Sequence, residues 1–442
     1  VIAPFVLNAQ DYYVKVSATG NGDGSSWTNA MGNEAFAQKL LSAQAGSVFH
    51  LAEGEYKPYL SASGSTTVSE QRKTFLLRKG VTIKGGYTAN GSAHSATDKS
   101  RVILSGNVGI AGVKADNAYN VVTVAGGADG ASLQNLTVTG GYGNGGGIQS
   151  RGAGIYVGEN AGTSTHKVIF SYIAVKENSS NDHGSGIFTA NGSYVRIENS
   201  TVAENRQLPG ADIWGGGISV WRNSTVEASN LKVSGNTAAH GGAVHVTKGT
   251  YISGNSVYAD NSSASHGGAF DIFDGSYVTL SADSIKNNVS GEGGGIHNES
   301  GTVNAAGTVF KNNTADGSGG AFLNSGSSVA SFTACVFDGN TIKNRGGGIE
   351  NRNRMEVNRS RIINNTAATG TAWGGGINQN GGRLIIRQCE IAGNSARHGG
   401  GFQIEGGTAV ISNTTFSGNN ASERGGAIDS YSGSLNLISV TV

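Results

Sequence analysis

Cysteine and proline are nearly absent from this chain, at two and three residues of 442. Two thiols cannot supply a disulfide framework, and so little proline excludes collagen-like and proline-rich extended segments. Neither sign of charge prevails, with 31 Lys and Arg against 30 Asp and Glu. No long run of one sign appears, so the electrostatic footprint of a nucleic-acid-binding surface is missing. No stretch of 18 apolar residues occurs either, which excludes a membrane-spanning helix.

Glycine is what the chain has in abundance, 72 residues, and much of it is periodic. Two or three glycines, or Gly-Gly-Ala, precede an apolar residue at Ile187, Ile218, Val244, Phe270, Ile296, Phe322, Ile349, Ile377, Phe402 and Ile428. The intervals are 31, 26, 26, 26, 26, 27, 28, 25 and 26. A period that constant is the mark of stacked repeats. A second phrase keeps step, an apolar residue followed three positions later by Asn, as in Phe310 to Asn313, Phe337 to Asn340 and Ile362 to Asn365. One repeat departs from it, with Val257 followed by Asp260 and Asn261. Between the phrases lie stretches of period-two alternation, such as Tyr194–Ile197, Tyr277–Leu280 and Leu384–Ile386.

Each repeat therefore predicts three short strands and three turns. Three strands in about 26 residues cannot cover their own faces, but coils stacked in parallel merge their inward residues into one core. The expected fold is all-β, a right-handed single-stranded parallel β-helix of about 26-residue, three-strand coils. The asparagines are expected to form an amide ladder in one turn column. Helical spacing at Phe36, Leu40 and Leu41 predicts a short N-terminal helix over residues 34–44 that caps the open end of the solenoid. Residues 55–80 and 88–100 are expected as loops on irregular early coils.

The repeats Gly241–Val244, Gly267–Phe270, Gly319–Phe322 and Gly425–Ile428, with Phe310–Asn313, Phe337–Asn340 and Phe416–Asn419, resemble those of polymorphic outer-membrane proteins. The resemblance covers about residues 140–442. It implies a bacterial right-handed parallel β-helix surface protein, many of that family being adhesins. The opening, Tyr12–Val16 followed by Gly20–Trp27, is similar to the N-terminal section of secreted bacterial β-helix proteins, carbohydrate-active ones included.

Residues 1–10 read as the remnant of a signal peptide with cleavage after Ala9, residues 11–100 as a cap with irregular first coils, and residues 101–442 as the β-helix. The last residues, Ser439–Val442, fall inside a coil, so a further segment able to anchor the protein at the outer membrane is expected beyond them. Cys335 and Cys389 take equivalent inward positions two coils apart. That separation, about 9.6 Å at ordinary strand spacing, is too wide for a disulfide, so both are expected as buried free thiols.

The residue four before each anchor forms a column of distinctive composition: His183, Trp214, His240, His266, Glu292, Ser318, Arg345, Trp373, His398 and Arg424. Stacked rings and guanidinium planes can serve as a structural ladder over the glycine backbone. They can equally serve as a linear binding stripe for sugar rings or a partner surface, and on that reading Trp214, His240, His266, Arg345, Trp373, His398 and Arg424 are the candidate ligand-binding residues on an exposed edge. The residue after each anchor is expected to face outward. There, His245, Asp271 and His297 stand on successive coils, a set able to bind a divalent metal or to act in acid–base chemistry. No cofactor is called for.

Acidic residues are sparse and scattered, Asp271 with Asp274 and Glu350 beside Arg352 and Arg354 being the densest groups, and no long insertion walls a cleft among residues 215–442. The reading is therefore a secreted or cell-surface adhesin or binding scaffold, with a glycan or a cell-surface protein as partner. The alternative is a carbohydrate-active lyase or hydrolase that uses the outward face of the Gly-Gly strand.

Overall fold

The computed structural model describes residues 9–93, 98–368 and 372–442. Eight of the ten residues assigned to a signal-peptide remnant lie outside the described residues. The chain is an all-β parallel solenoid with almost no helix. It divides into two compact units, the first running to Ile213 and including Gly217–Glu227, the second comprising Trp214–Gly216 and Ala228–Val442.

In the first unit parallel stacking begins at once. Asp11–Val14 pairs with Val48–Ala52, which pairs with Thr82–Tyr87 and onward through Ser132–Gln134 to Val168–Ser171. The stretch expected to be loop at 55–80 contains the strand Phe75–Leu77, which pairs with Val122–Val124 and so belongs to the solenoid. Its three residues are all buried, and a strand that short carries no detectable period. The helix spans Asn33–Ser42 and buries Phe36, Ala37 and Leu40. Phe36 meets Phe49, Tyr56 and Phe75 at ring-centroid distances of 5.3, 6.4 and 5.8 Å, the capping contact that the apolar spacing predicts.

In the second unit three sheets run through the coils, and their assignment is finer than the repeat suggests. The Gly-Gly strand and the alternating stretch after it belong to one sheet. They fuse into single strands at Ile377–Arg387 and Phe402–Ser412. The apolar-Asn strands, such as Val309–Lys311 and Val336–Asp338, form the second sheet. The third is built from short strands after each Asn, from Thr237–His240 to Asn420–Arg424. Several are only two residues long, such as Thr314–Ala315 and Thr341–Ile342, so sequence periodicity misses them.

The core register is that of the repeat. Val233, Tyr258, Ile285, Phe310, Phe337, Ile362, Ile391 and Phe416 pair in succession from coil to coil. The Phe310 and Phe337 rings stack at 4.6 Å and 3°. The repeat that seemed irregular is regular: the inward residue is Tyr258, three before Asn261, and not Val257. Burial of its hydroxyl is offset by hydrogen bonds with Tyr251 at 2.9 Å and Ser253 at 2.7 Å.

Beside this core the buried asparagines form the expected ladder. The Oδ1 of Asn340 accepts from the backbone N–H and the Nδ2 of Asn313 at 2.9 and 3.0 Å, and its Nδ2 donates to the Phe310 carbonyl and to Asn365 Oδ1 at 3.1 and 2.9 Å. The same pattern recurs from Asn236 to Asn419. A second ladder of small polar residues runs at another turn. There Ser256, Asp283, Ser360 and Thr414 accept backbone N–H groups from the preceding coil, and Cys335 and Cys389 occupy positions in the same column. Both cysteines are buried and free.

Candidate functional site

The geometry of the column begins with its glycine. Gly241, Gly267, Gly293, Gly319, Gly346, Gly374, Gly399 and Gly425 all have φ between +60° and +69°, a region that a Cβ disfavours. The preceding side chain is thereby turned back over the strand that follows. In the second unit the column is in register, with bridges from Trp214 to His240, His266 to Glu292, Ser318 to Arg345, Arg345 to Trp373 and Trp373 to His398. His240 pairs with His266, and His398 with Arg424.

The expected exposed edge is not what forms. Trp214, His240, His266, Arg345 and Trp373 are half-buried, His398 is buried, and only Arg424 is exposed. The residues expected to face solvent after each anchor are buried as well: His245, Asp271, His297, Leu323, Glu350, Asn378 and Gln403 are each 5% exposed or less. Alternation correctly puts them on the face opposite the core, but the column side chains fold over that face. The Trp214 ring lies 5.0 Å from His245, and His266 stacks on His297 at 4.5 Å and 25°.

Two polar clusters result. In the first, Asp271 accepts hydrogen bonds from His245 Nδ1 at 3.1 Å and His297 Nδ1 at 2.8 Å. An ionised carboxylate only accepts, so both imidazoles carry hydrogen on Nδ1. Burial opposes ionisation of Asp271, but these two bonds outweigh it and hold the carboxyl below the usual range. The compact set of potential metal ligands is His266, Asp271 and His297, whose ligand atoms lie within 4.8 Å of one another. His266 thus takes the place expected of His245.

The second cluster surrounds Trp373. The Arg345 guanidinium lies 4.6 Å over its ring and 3.0 Å from Glu405. Asn378 donates to Glu350 and Glu405, at 2.8 Å each, and Arg352 reaches Glu350 at 3.1 Å. Burial pushes Glu350 up to about 7 against the pull of Arg352 and Asn378, with the charge of Glu405 adding to the rise. Among the described residues four buried polar atoms beside this cluster have no hydrogen-bond partner: Trp373 Nε1, Asn378 Oδ1, His398 Nδ1 and Gln403 Oε1.

The first unit contains members of the same pattern that the sequence reading passed over. Arg151 stands four before Ile155, and Gly152 between them has φ +58°, so Arg151 begins the column. Tyr156 follows the anchor and stacks on Phe188 at 5.7 Å and 14°. The intervening Gly-Ala-Gly hid this coil, which a search at the fixed offset of four would have found. Asp182 ties the start of the column together, 2.7 Å from both Arg151 and His183. Burial disfavours its charge, yet His183 and Arg151 lower it to about 2.

Coil, ladders and column together define a right-handed parallel β-helix. Residues 302–442 match the family described as a right handed beta helix region. No curated protein sequence matches the chain. Among solved structures, the pectate lyase Pel9A is similar over 83% of this chain and 78% of its own, with 14% identity and a TM-score of 0.46. PfbA, a surface adhesin of Streptococcus pneumoniae, is similar over 97% and 93%, with 11% identity and a TM-score of 0.31. Among the described residues no helix is long and apolar enough to cross a membrane.

Proposed function

We propose that this chain is an extracellular or cell-surface binding scaffold of the adhesin type, and that it takes a glycan along the Trp373 end of the column. The observation that carries the reading is the half-buried Trp373 indole with the half-buried Arg345 guanidinium 4.6 Å over its ring. A sugar offers an apolar face to such a ring and hydroxyls to the guanidinium donors. The carboxylates do not favour the lyase or hydrolase alternative, because Asp271 and Glu350 are buried and engaged with neighbouring side chains rather than open to a substrate. Export and any anchoring at the outer membrane belong to this proposal, as does a protein partner on the host or neighbouring cell.

The test is titration calorimetry with a panel of neutral and acidic oligosaccharides on the wild type and on Trp373→Ala, beside melting curves of both. The expected result is a saturable ligand whose affinity falls about tenfold, as for a hot-spot aromatic, while melting shifts little. Binding lost only in step with melting would make the column a structural ladder.

A further inference from the structure

We propose a second sugar subsite, in the first unit: the cleft between Tyr156 and Trp221, which binds a neutral pyranose oligosaccharide. It is separate from the Trp373 site in residues and in unit, and it rests on different observations.

The cleft encloses about 600 Å³, within the range of small-molecule sites. Its aromatic members come from successive coils. Tyr156 pairs in register with Phe188, and Trp221 follows two residues after Ser219, the partner of Phe188. Tyr156 and Trp221 are half-buried, whereas Phe188, on the coil between them, is buried. Both half-buried rings line the cleft, with the His183 ring 4.8 Å from Trp221.

Polar groups at the rim have the composition that hydroxyl recognition needs. Asn191, Asn223, Arg222 and Glu159 all line the cleft and are exposed. Two amides supply donors and acceptors, the guanidinium donors, and the carboxylate acceptors. The arginines also polarise the platform, Arg222 lying 5.2 Å and Arg151 5.8 Å from the Trp221 ring centroid.

Charge selects the class of sugar. Arg151 is already matched by Asp182 at 2.7 Å, which leaves one cation, Arg222, and one anion, Glu159, in the lining and no net charge to attract an acidic chain. Glu159 also bears on Tyr156, whose phenol is raised by burial first and by the Glu159 charge second. A uronate carboxylate placed over Tyr156 would meet that same repulsion. Neutral hydroxyls would not.

The experiment is titration of the full chain, followed by calorimetry, with cellotetraose, mannotetraose, triacetylchitotriose and trigalacturonate. At least one neutral probe is expected to saturate. Trp221→Ala should weaken it about tenfold, Trp221→Phe should retain most of the affinity, and Trp373→Ala should leave this site unchanged. Arg222→Ala, at an exposed position, provides a variant that folds if Trp221→Ala does not, and should weaken binding severalfold. Failure of every neutral probe, preference for trigalacturonate, or binding unaffected by both Trp221→Ala and Arg222→Ala would overturn the proposal. Because Trp373→Ala is measured alongside, loss of one site is distinguishable from loss of the other.

Discussion

Replacing Asn340 with Ala removes one rung of a ladder whose contacts are all identified. The side chain is fully buried and makes four hydrogen bonds. The Asn313 amide N–H loses its acceptor outright, at a cost of about 1–3 kcal/mol for a buried unsatisfied donor. The other three bonds contribute about 1 kcal/mol each, but Asn365 Oδ1 keeps the Asn340 backbone N–H and Asn313 Nδ2 keeps the Ile285 carbonyl. The expected loss is thus about 3–5 kcal/mol. Asn419 is a built-in control. It makes equivalent bonds to Asn394 but is half-buried, so water can replace part of what Asn419→Ala removes, and the loss should be about 1–2 kcal/mol. Because solenoids open locally, native-state hydrogen exchange at the Asn313 amide is the appropriate assay, alongside urea denaturation. Equal losses at the two positions, or a loss below about 1 kcal/mol at Asn340, would show that the ladder follows from the coil rather than stabilising it.

Glu350 gives a pH signature: its folded pKa of about 7 lies above the unfolded value of about 4.3. Its contribution to stability is therefore full below about pH 4 and lost as pH rises through 7. The stability difference between Glu350→Gln and wild type should shift in the variant's favour by roughly 3 kcal/mol between pH 4 and 8, measured by denaturation at each pH, and a flat difference would refute the assignment. Burial raises the Cys335 thiol to about 11 and raises Cys389 as well, so maleimide should label neither in the native protein and both after denaturation. Gly319→Ala places a Cβ 2.6 Å from the Phe322 carbonyl oxygen at φ +69°. It should destabilise by more than the ~1 kcal/mol that a Gly-to-Ala change gains in unfolded-chain entropy at a compatible position, read from the shift in urea midpoint.

Much of the fold was legible because its determinants repeat. The Gly-Gly phrase and the apolar-Asn phrase each mark a backbone requirement that recurs once per coil, and the register through Phe310, Phe337 and Ile362 follows from counting. The column was legible for the same reason. What covers a face was not. Alternation places His245, Asp271 and His297 opposite the core but cannot show that a positive-φ glycine turns the preceding ring back over them. Tyr258 escaped because its hydroxyl made Val257 look like the better core residue, while Tyr251 and Ser253, which satisfy that hydroxyl, are remote from the phrase being matched. Arg151 and Trp221 were missed because one lies in a coil with a Gly-Ala-Gly turn and the other outside both repeated phrases.

Four tryptophans make the central claim directly measurable, since each indole N–H gives its own nitrogen-correlated proton resonance. Titration of the 15N-labelled chain with the oligosaccharide panel, with each resonance assigned by single Trp→Phe variants, reports which rings meet ligand. The account predicts that Trp373 and Trp221 shift on saturation while Trp27, packed between Tyr13 and Tyr87, does not. Saturable binding that moves neither Trp373 nor Trp221, or no binding by any glycan in the panel, would contradict it.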